Sequence, residues 1–275
     1  MNMDVLEVSR LSIAHAGSGA AIVPELSFCV KEKSCLAIVG ESGSGKSIVC
    51  KAIMRLNGPA LRQSGSIRFK GTELTELSDD RIRGLRGAQI GMILQNGMRA
   101  FDPGLRLGKQ LHSVLKAHFG WSREQSRERL SEAMELLLLQ SPTAVLNRYP
   151  HELSGGMLQR LMIALTLVLQ PELVIADEPT TALDAASRQE AIGQLISLRR
   201  QAGCSMILIS HDLSAVERIA DEVLVLRGGM TVERGTAAEL LTSPRHAYTR
   251  YLVESKHALS GRFAQALGGR THAER

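Results

Sequence analysis

The chain has 275 residues, 44% hydrophobic and 22% charged, the balance of a globular protein with apolar material for a sizeable core. Its net charge of +5 is dispersed, densest from Arg81 to Arg86, and aromatic residues make up only 3%, so stacking platforms are scarce and no nucleic-acid partner is expected. The longest apolar stretch, Leu161 to Leu169 with Thr166 inside it, falls far short of the roughly 18 residues that span a bilayer.

The opening MNMDVLEVSRLSI lacks a basic region followed by a long apolar run, so no secretory signal is expected and the chain is placed in the cytoplasm. LEVSRLSIAHA and then LSFCVKEKS alternate apolar and polar residues, as half-exposed antiparallel strands do, and GSIRFKG near Gly65 continues the pattern. CLAIVG at Cys35, ELVIAD at Glu172 and SMILIS at Ser205 are short, apolar and β-branched, and predict buried strands. Helical patterns follow them, including Ser187 to Gln201, so the fold class is α/β with a largely parallel sheet and a small antiparallel layer beside it.

From about Gly97 to Leu153 the strand signal vanishes and VLKAHF and SREQSRERLSEAMELLLLQ carry helical spacing. We therefore expect one domain over residues 1–255 with a helical subdomain inserted at about 97–160, and a partly ordered tail over 256–275. Cys29, Cys35, Cys50 and Cys204 form no CxxC pair and are expected to be buried, reduced thiols.

GESGSGKS, comprising Gly40, Glu41, Ser42, Gly43, Ser44, Gly45, Lys46 and Ser47, fills the pattern G-x-x-x-x-G-K-[ST] between a predicted strand and a predicted helix. Its glycines allow successive N–H groups to turn toward a β-phosphate, and the helix start adds positive potential. Lys46 would neutralise β- and γ-phosphate oxygens and the Ser47 hydroxyl would coordinate Mg²⁺, so the expected ligand is a purine nucleoside triphosphate. ELVIADEP ends in two acids that point to opposite sides, Asp177 toward the Mg²⁺ shell and Glu178 toward an attacking water. His211 in SMILISHD would face the same crevice and sense the γ-phosphate.

The order of motifs resembles the ATP-binding cassette family of transport ATPases, with its P-loop NTPase core. The resemblance rests on GESGSGKS, Gln95 in MILQN, LSGGMLQR at Leu153, LVIADEP at Leu173, ALD at Ala182 and SHD at Ser210. It implies ATP and Mg²⁺ as ligands, with Ser47, Gln95 and Asp177 around the metal and Glu178, Gln95 and His211 serving hydrolysis. It also implies a head-to-tail pair of ATPase subunits in which Ser154, Gly155 and Gly156 close over the partner's ATP and Asp184 lies at the dimer contact. A hydroxyl and free N–H groups at a helix start agree with that role. The usual aromatic residue under adenine is replaced by His15 in SIAHAG.

The stretch after Gln95 (NGMRAFDPGLRLGKQL) and SPRHAYTRYLVES at Ser243 look like the subgroup that powers uptake of peptides and nickel. Leu158, where a basic residue is common, brings the signature closer to the D-type ATPase of nickel or metal-chelate importers, with dipeptide or oligopeptide import as the alternative. A soluble cassette acting on ribosomes or DNA is disfavoured, because there is neither a second cassette nor a long coiled-coil insertion. The implied partners are two membrane permease subunits, a second ATPase subunit, alike or identical, and indirectly a solute-binding protein. The place of work is the cytoplasmic face of the inner membrane, peripherally bound. His246, His257 and His272 fit no coordination template.

Overall fold

A computed structural model describes residues 4–255 except Asn96 and Ala182; the tail, with His257 and His272, lies outside the described residues. The alternating segments pair antiparallel in a four-stranded sheet of β1 (Asp4–His15), β2 (Ala21–Lys31), β4 (Leu61–Phe69) and β5 (Thr72–Glu73), in the order β2-β1-β4-β5. CLAIVG, ELVIAD and SMILIS form β3 (Cys35–Val39), β7 (Leu173–Asp177) and β8 (Ser205–Ile209), and every residue of these three strands is buried.

They lie in a second, six-stranded sheet of order β10-β9-β3-β8-β7-β6. β6 (Ile90–Ile93), β9 (Glu222–Arg227) and β10 (Met230–Thr236), absent from the sequence expectations, complete it. All its pairings are parallel except that of the edge strand β10 with β9.

The two-residue period of the strands divides the interior in two. Leu36, Ile38, Ile175, Ile207 and Leu224 face the antiparallel sheet and α1 (Lys46–Ile53). Ala37, Val39, Val174, Leu208 and Val225 face the helices that follow β6. Covering both faces is what allows strands without any polar residue at their centres.

Between β6 and β7 run α3 (Leu107–Phe119), α4 (Arg123–Leu136), α5 (Pro142–Leu146) and α6 (Gly155–Leu169). Leu107, Leu111 and Leu115 form the buried stripe of α3, and Ser122 with Gln125 caps α4 in a capping box. α6 is buried on most of its surface because it packs on α4 and on α7 (Ala185–Ala202) as well as on the sheet. α7 starts two residues before the expected Ser187, since the Asp184 carboxylate accepts the Ala186 and Ser187 N–H groups and caps it. The basic run falls on and after α2 (Asp79–Leu85), where Arg81 and Arg83 are exposed but Arg86 donates to the carbonyls of Met54 and Arg55. Cys35, Cys50 and Cys204 are buried and free; Cys29 departs from the expectation in being only half-buried, 3.8 Å from an Arg234 nitrogen.

Candidate active site

The site is assembled at the carboxyl ends of β3, β7 and β8, where each strand stops and the first residues after it turn into the crevice. After β3 the chain must fold back at once into α1, and glycine is required in two places. A Cβ on Gly40 would lie 2.2 Å from the Leu226 carbonyl oxygen, so nothing larger fits against β9. Gly45 takes φ 93° as the cap of α1, a conformation that L side chains rarely adopt. The first intrahelical bond runs from Val49 N–H to Gly45 C=O at 3.0 Å, which leaves the amides of Lys46, Ser47 and Ile48 as orphan donors at a positive helix end.

Lys46 is 5% exposed, and its ammonium donates to the carbonyls of Gly40 (2.9 Å) and Glu41 (2.7 Å). Burial pushes its pKa below the ordinary lysine value, opposed by the nearby charges of Glu178, Asp177 and Glu41. Here the loop's own oxygens hold the charge where phosphate oxygens are expected. Ser47 Oγ donates to Asp177 Oδ1 at 2.9 Å, so two of the three residues assigned to Mg²⁺ in the sequence analysis are brought together, while Gln95 bonds Glu178. Burial raises the Asp177 pKa, helped by Glu178 and opposed by the Ser47 bond and by Lys51 and Lys46. A hydroxyl and a buried carboxylate form a hard oxygen donor set that fits Mg²⁺.

Glu178 follows with φ 47°, left-handed for a non-glycine residue, while its N–H still donates to Ile209 C=O at 3.0 Å. That strained backbone turns the carboxylate away from Asp177 and across the sheet end. Its Oε2 accepts from Thr181 Oγ1 (2.8 Å) and Gln95 Nε2 (3.4 Å) and lies 3.1 Å from His211 Nδ1. Gln95, Glu178 and His211 thus converge from the ends of β6, β7 and β8. Thr181 is a member of this cluster that sequence reasoning missed; its hydroxyl three residues beyond Glu178 was the available signal.

Ser154, Gly155 and Gly156 lie elsewhere. Ser154 caps α6 by accepting the Met157 N–H at 3.2 Å, and a Cβ on Gly155 would meet nothing within 4 Å. Among the described residues, none of their hydrogen bonds reaches the phosphate loop. Leu158 is fully buried, and a Cβ on Gly97 would lie 2.8 Å from its Cβ, so packing beneath the Gln95 segment explains it. Asp184 is exposed and engaged in capping. His15 ends β1, exposed; its strand neighbour Ile13 pairs with Val23, whose Cγ2 would lie 2.9 Å from a Cβ on Gly45. His15 thus lies two residues along β1 from the strand pair that abuts the phosphate loop, and among the described residues it makes no hydrogen bond to that loop.

The model of the ABC transporter family matches residues 23–181. The chain belongs to this family. It is 42% identical over 98% of its length, and all of the relative's, to the metal-staphylopine import system ATP-binding protein CntD of Staphylococcus aureus. It is 40% identical to the oligopeptide transport ATP-binding protein OppD of Bacillus subtilis, over 93% of this chain and 72% of that one. An ATP-binding cassette solved as a dimer in a post-hydrolysis state bound to ADP and Pi has the same fold, with TM-score 0.74 at 24% identity over 84% of this chain and 98% of that one. The chain binds ATP and is an ATPase coupled to transport. Among the described residues, no helix is long and apolar enough to cross a membrane.

Proposed function

We propose that the chain is the ATP-hydrolysing subunit of an importer for a metal complex, working on two permease subunits at the cytoplasmic face of the inner membrane. The observation that carries the chemistry is the convergence of Ser47 with Asp177 and of Gln95 and His211 with Glu178 at one sheet end. ATP phosphate oxygens would accept from the Lys46 ammonium beside the Gly40 carbonyl that positions it, and the orphan amides of α1 would receive the β-phosphate. Ser47, Asp177 and Gln95 would hold Mg²⁺, which neutralises developing phosphate charge when bound. Among the described residues Glu178 accepts hydrogen bonds through one oxygen, Oε2, and its other oxygen would orient water for in-line attack. His211 contacts the γ-phosphate and reports its loss to the same carboxylate.

The exposed Ser154 to Gly156 turn fits as the second half of a site shared with another ATPase subunit, with Asp184 at that contact and His15 beside the adenine. The segment of about 97–160, packed on the sheet through α6, would carry closure of the pair to the permeases. Full-length similarity to a metal-staphylopine importer supports metal-complex cargo over peptide. The similarity to an oligopeptide importer keeps small peptides as the second reading.

Glu178→Gln keeps the side chain's shape and removes its charge. It is expected to bind ATP as the wild type does and to cut turnover by on the order of a hundredfold or more. Steady-state ATPase assays with nucleotide titration check this, and normal hydrolysis would remove Glu178 from the chemistry. Uptake of metal chelates against peptides, in cells carrying the permeases, decides the cargo.

A further inference from the structure

The segment SPRHAYTRYLVES marks a subgroup in the sequence, yet ATP chemistry gives it no task. In the structure it runs beside the phosphate loop, and residues 247–255 are helical. Tyr248, only 6% exposed, places its hydroxyl 3.1 Å from the Glu41 backbone nitrogen and accepts that N–H. The same peptide unit carries the Gly40 carbonyl, which accepts from Lys46 Nζ at 2.9 Å. One trans peptide is thus held from both sides, since its C=O and N–H point in opposite directions.

We propose that Tyr248 is a positioning residue of the nucleotide site, fixing the Gly40–Glu41 peptide so that Lys46 is held at the mouth of the phosphate loop. The proposal rests on the assignment of this loop to ATP. Rotation of the peptide would turn its N–H toward the Lys46 ammonium and strip that charge of an acceptor. The Tyr248 hydroxyl opposes this by satisfying the part-buried N–H in its present direction.

Tyr248 is itself seated on several sides. The Arg227 guanidinium lies 4.9 Å from the ring centroid, one residue beyond Leu226, whose carbonyl abuts Gly40. Its own N–H donates to His246 Nδ1 at 3.1 Å. The N–H groups of Arg245 and His246 donate to the Glu233 carboxylate on β10, at 2.8 and 3.1 Å. The start of the carboxyl-terminal helix is therefore tied both to β10 and to the phosphate loop, so displacement of this helix by a partner would be felt by Lys46.

The test is Tyr248→Phe in the full chain, which keeps the ring under Arg227 and removes only the hydroxyl. The Kd for a fluorescent ATP analogue and the KM for ATP are expected to rise on the order of three- to tenfold, the fold-change of one net hydrogen bond. kcat at saturation stays within about twofold and Tm is little changed, because the bond orients the loop and takes no part in proton transfer. Amide exchange in the peptide spanning residues 40–47 is expected to speed up. Arg227→Gln, which loosens the ring and leaves the hydroxyl, should give a smaller rise in KM. Unchanged Kd and KM in both variants, or a fall in kcat alone, overturns the proposal. Lys46→Ala separates the two levels: if it binds the analogue normally, the ATP assignment of the loop fails, whereas lost binding there with a normal Tyr248→Phe sinks the Tyr248 role only.

Discussion

The phosphate loop and the start of α6 are both turns that present a serine and glycines at a helix N-terminus, yet they are built oppositely. At the loop Lys46 is buried and Ser47 half-buried, and both are already engaged: Lys46 holds two carbonyls, Ser47 holds Asp177, and Gly40 lies against the β9 backbone. At α6 the Ser154 to Gly156 turn faces outward, with the Ser154 side chain engaged, among the described residues, in capping and with open space around Gly155. A turn that needs no neighbour to be complete belongs to one chain's site. A turn that offers donors to solvent fits a site finished by a second chain.

The largest expected effect is on this asymmetry. Ser154→Arg puts a long cation where a partner's ATP would lie, while costing only about 1 kcal/mol of helix capping. Turnover should fall on the order of a hundredfold with ATP affinity of the single chain retained, as read by ATPase rate beside analogue titration. An unchanged rate would mean that the α6 turn takes no part in hydrolysis.

A pair of alanine substitutions tests the same contrast through stability. Gly40→Ala drives a methyl into the Leu226 carbonyl and should destabilise by about 1–3 kcal/mol while weakening nucleotide binding. Gly155→Ala has no atom to meet within 4 Å and lies at a helix start, so its melting curve should match the wild type while turnover falls about tenfold. Denaturant titration of both decides this, and a stable Gly40→Ala would contradict the close packing of loop on β9.

Much of this was legible in the sequence because the parallel strands are pure: CLAIV, LVIAD and SMILI each lead directly into the residues that act, the phosphate loop, Asp177 with Glu178, and His211. The strand β6, four residues long, was not, since IGMI is too short for a period to show. EVLVLR of β9 has as clear a pattern as β3, but no motif follows it to draw attention to its register beside the loop. Tyr248 was illegible for another reason: its hydroxyl acts across 207 positions of chain, and only folding brings such partners together. The sequence reads Leu158 as a clue to cargo, and the structure adds that it is a buried packing residue.

The smallest effect contrasts two aspartates. Asp184, exposed at the α7 cap, has its pKa lowered chiefly by the Ser187 backbone and side-chain bonds, whereas burial raises that of Asp177. A raised native value means the folded chain holds the proton to higher pH than the unfolded chain does. Ionised Asp177 therefore costs stability in full above its native pKa, and the cost lifts as pH falls through that value and the native carboxyl protonates first. Asp177→Asn removes the charge at every pH and can keep the Ser47 bond through its amide oxygen. Without nucleotide, the variant should melt above the wild type at a pH of about 8, and the gap should narrow as pH falls toward the carboxylate range, at about 5 and below. ATPase activity should be lost, since the carboxylate is what the phosphate side keeps at the expense of stability. A variant that melts below the wild type at the higher pH would mean that the Ser47 and Lys46 contacts outweigh burial, and that the loop is stabilised by the charge it is built to use.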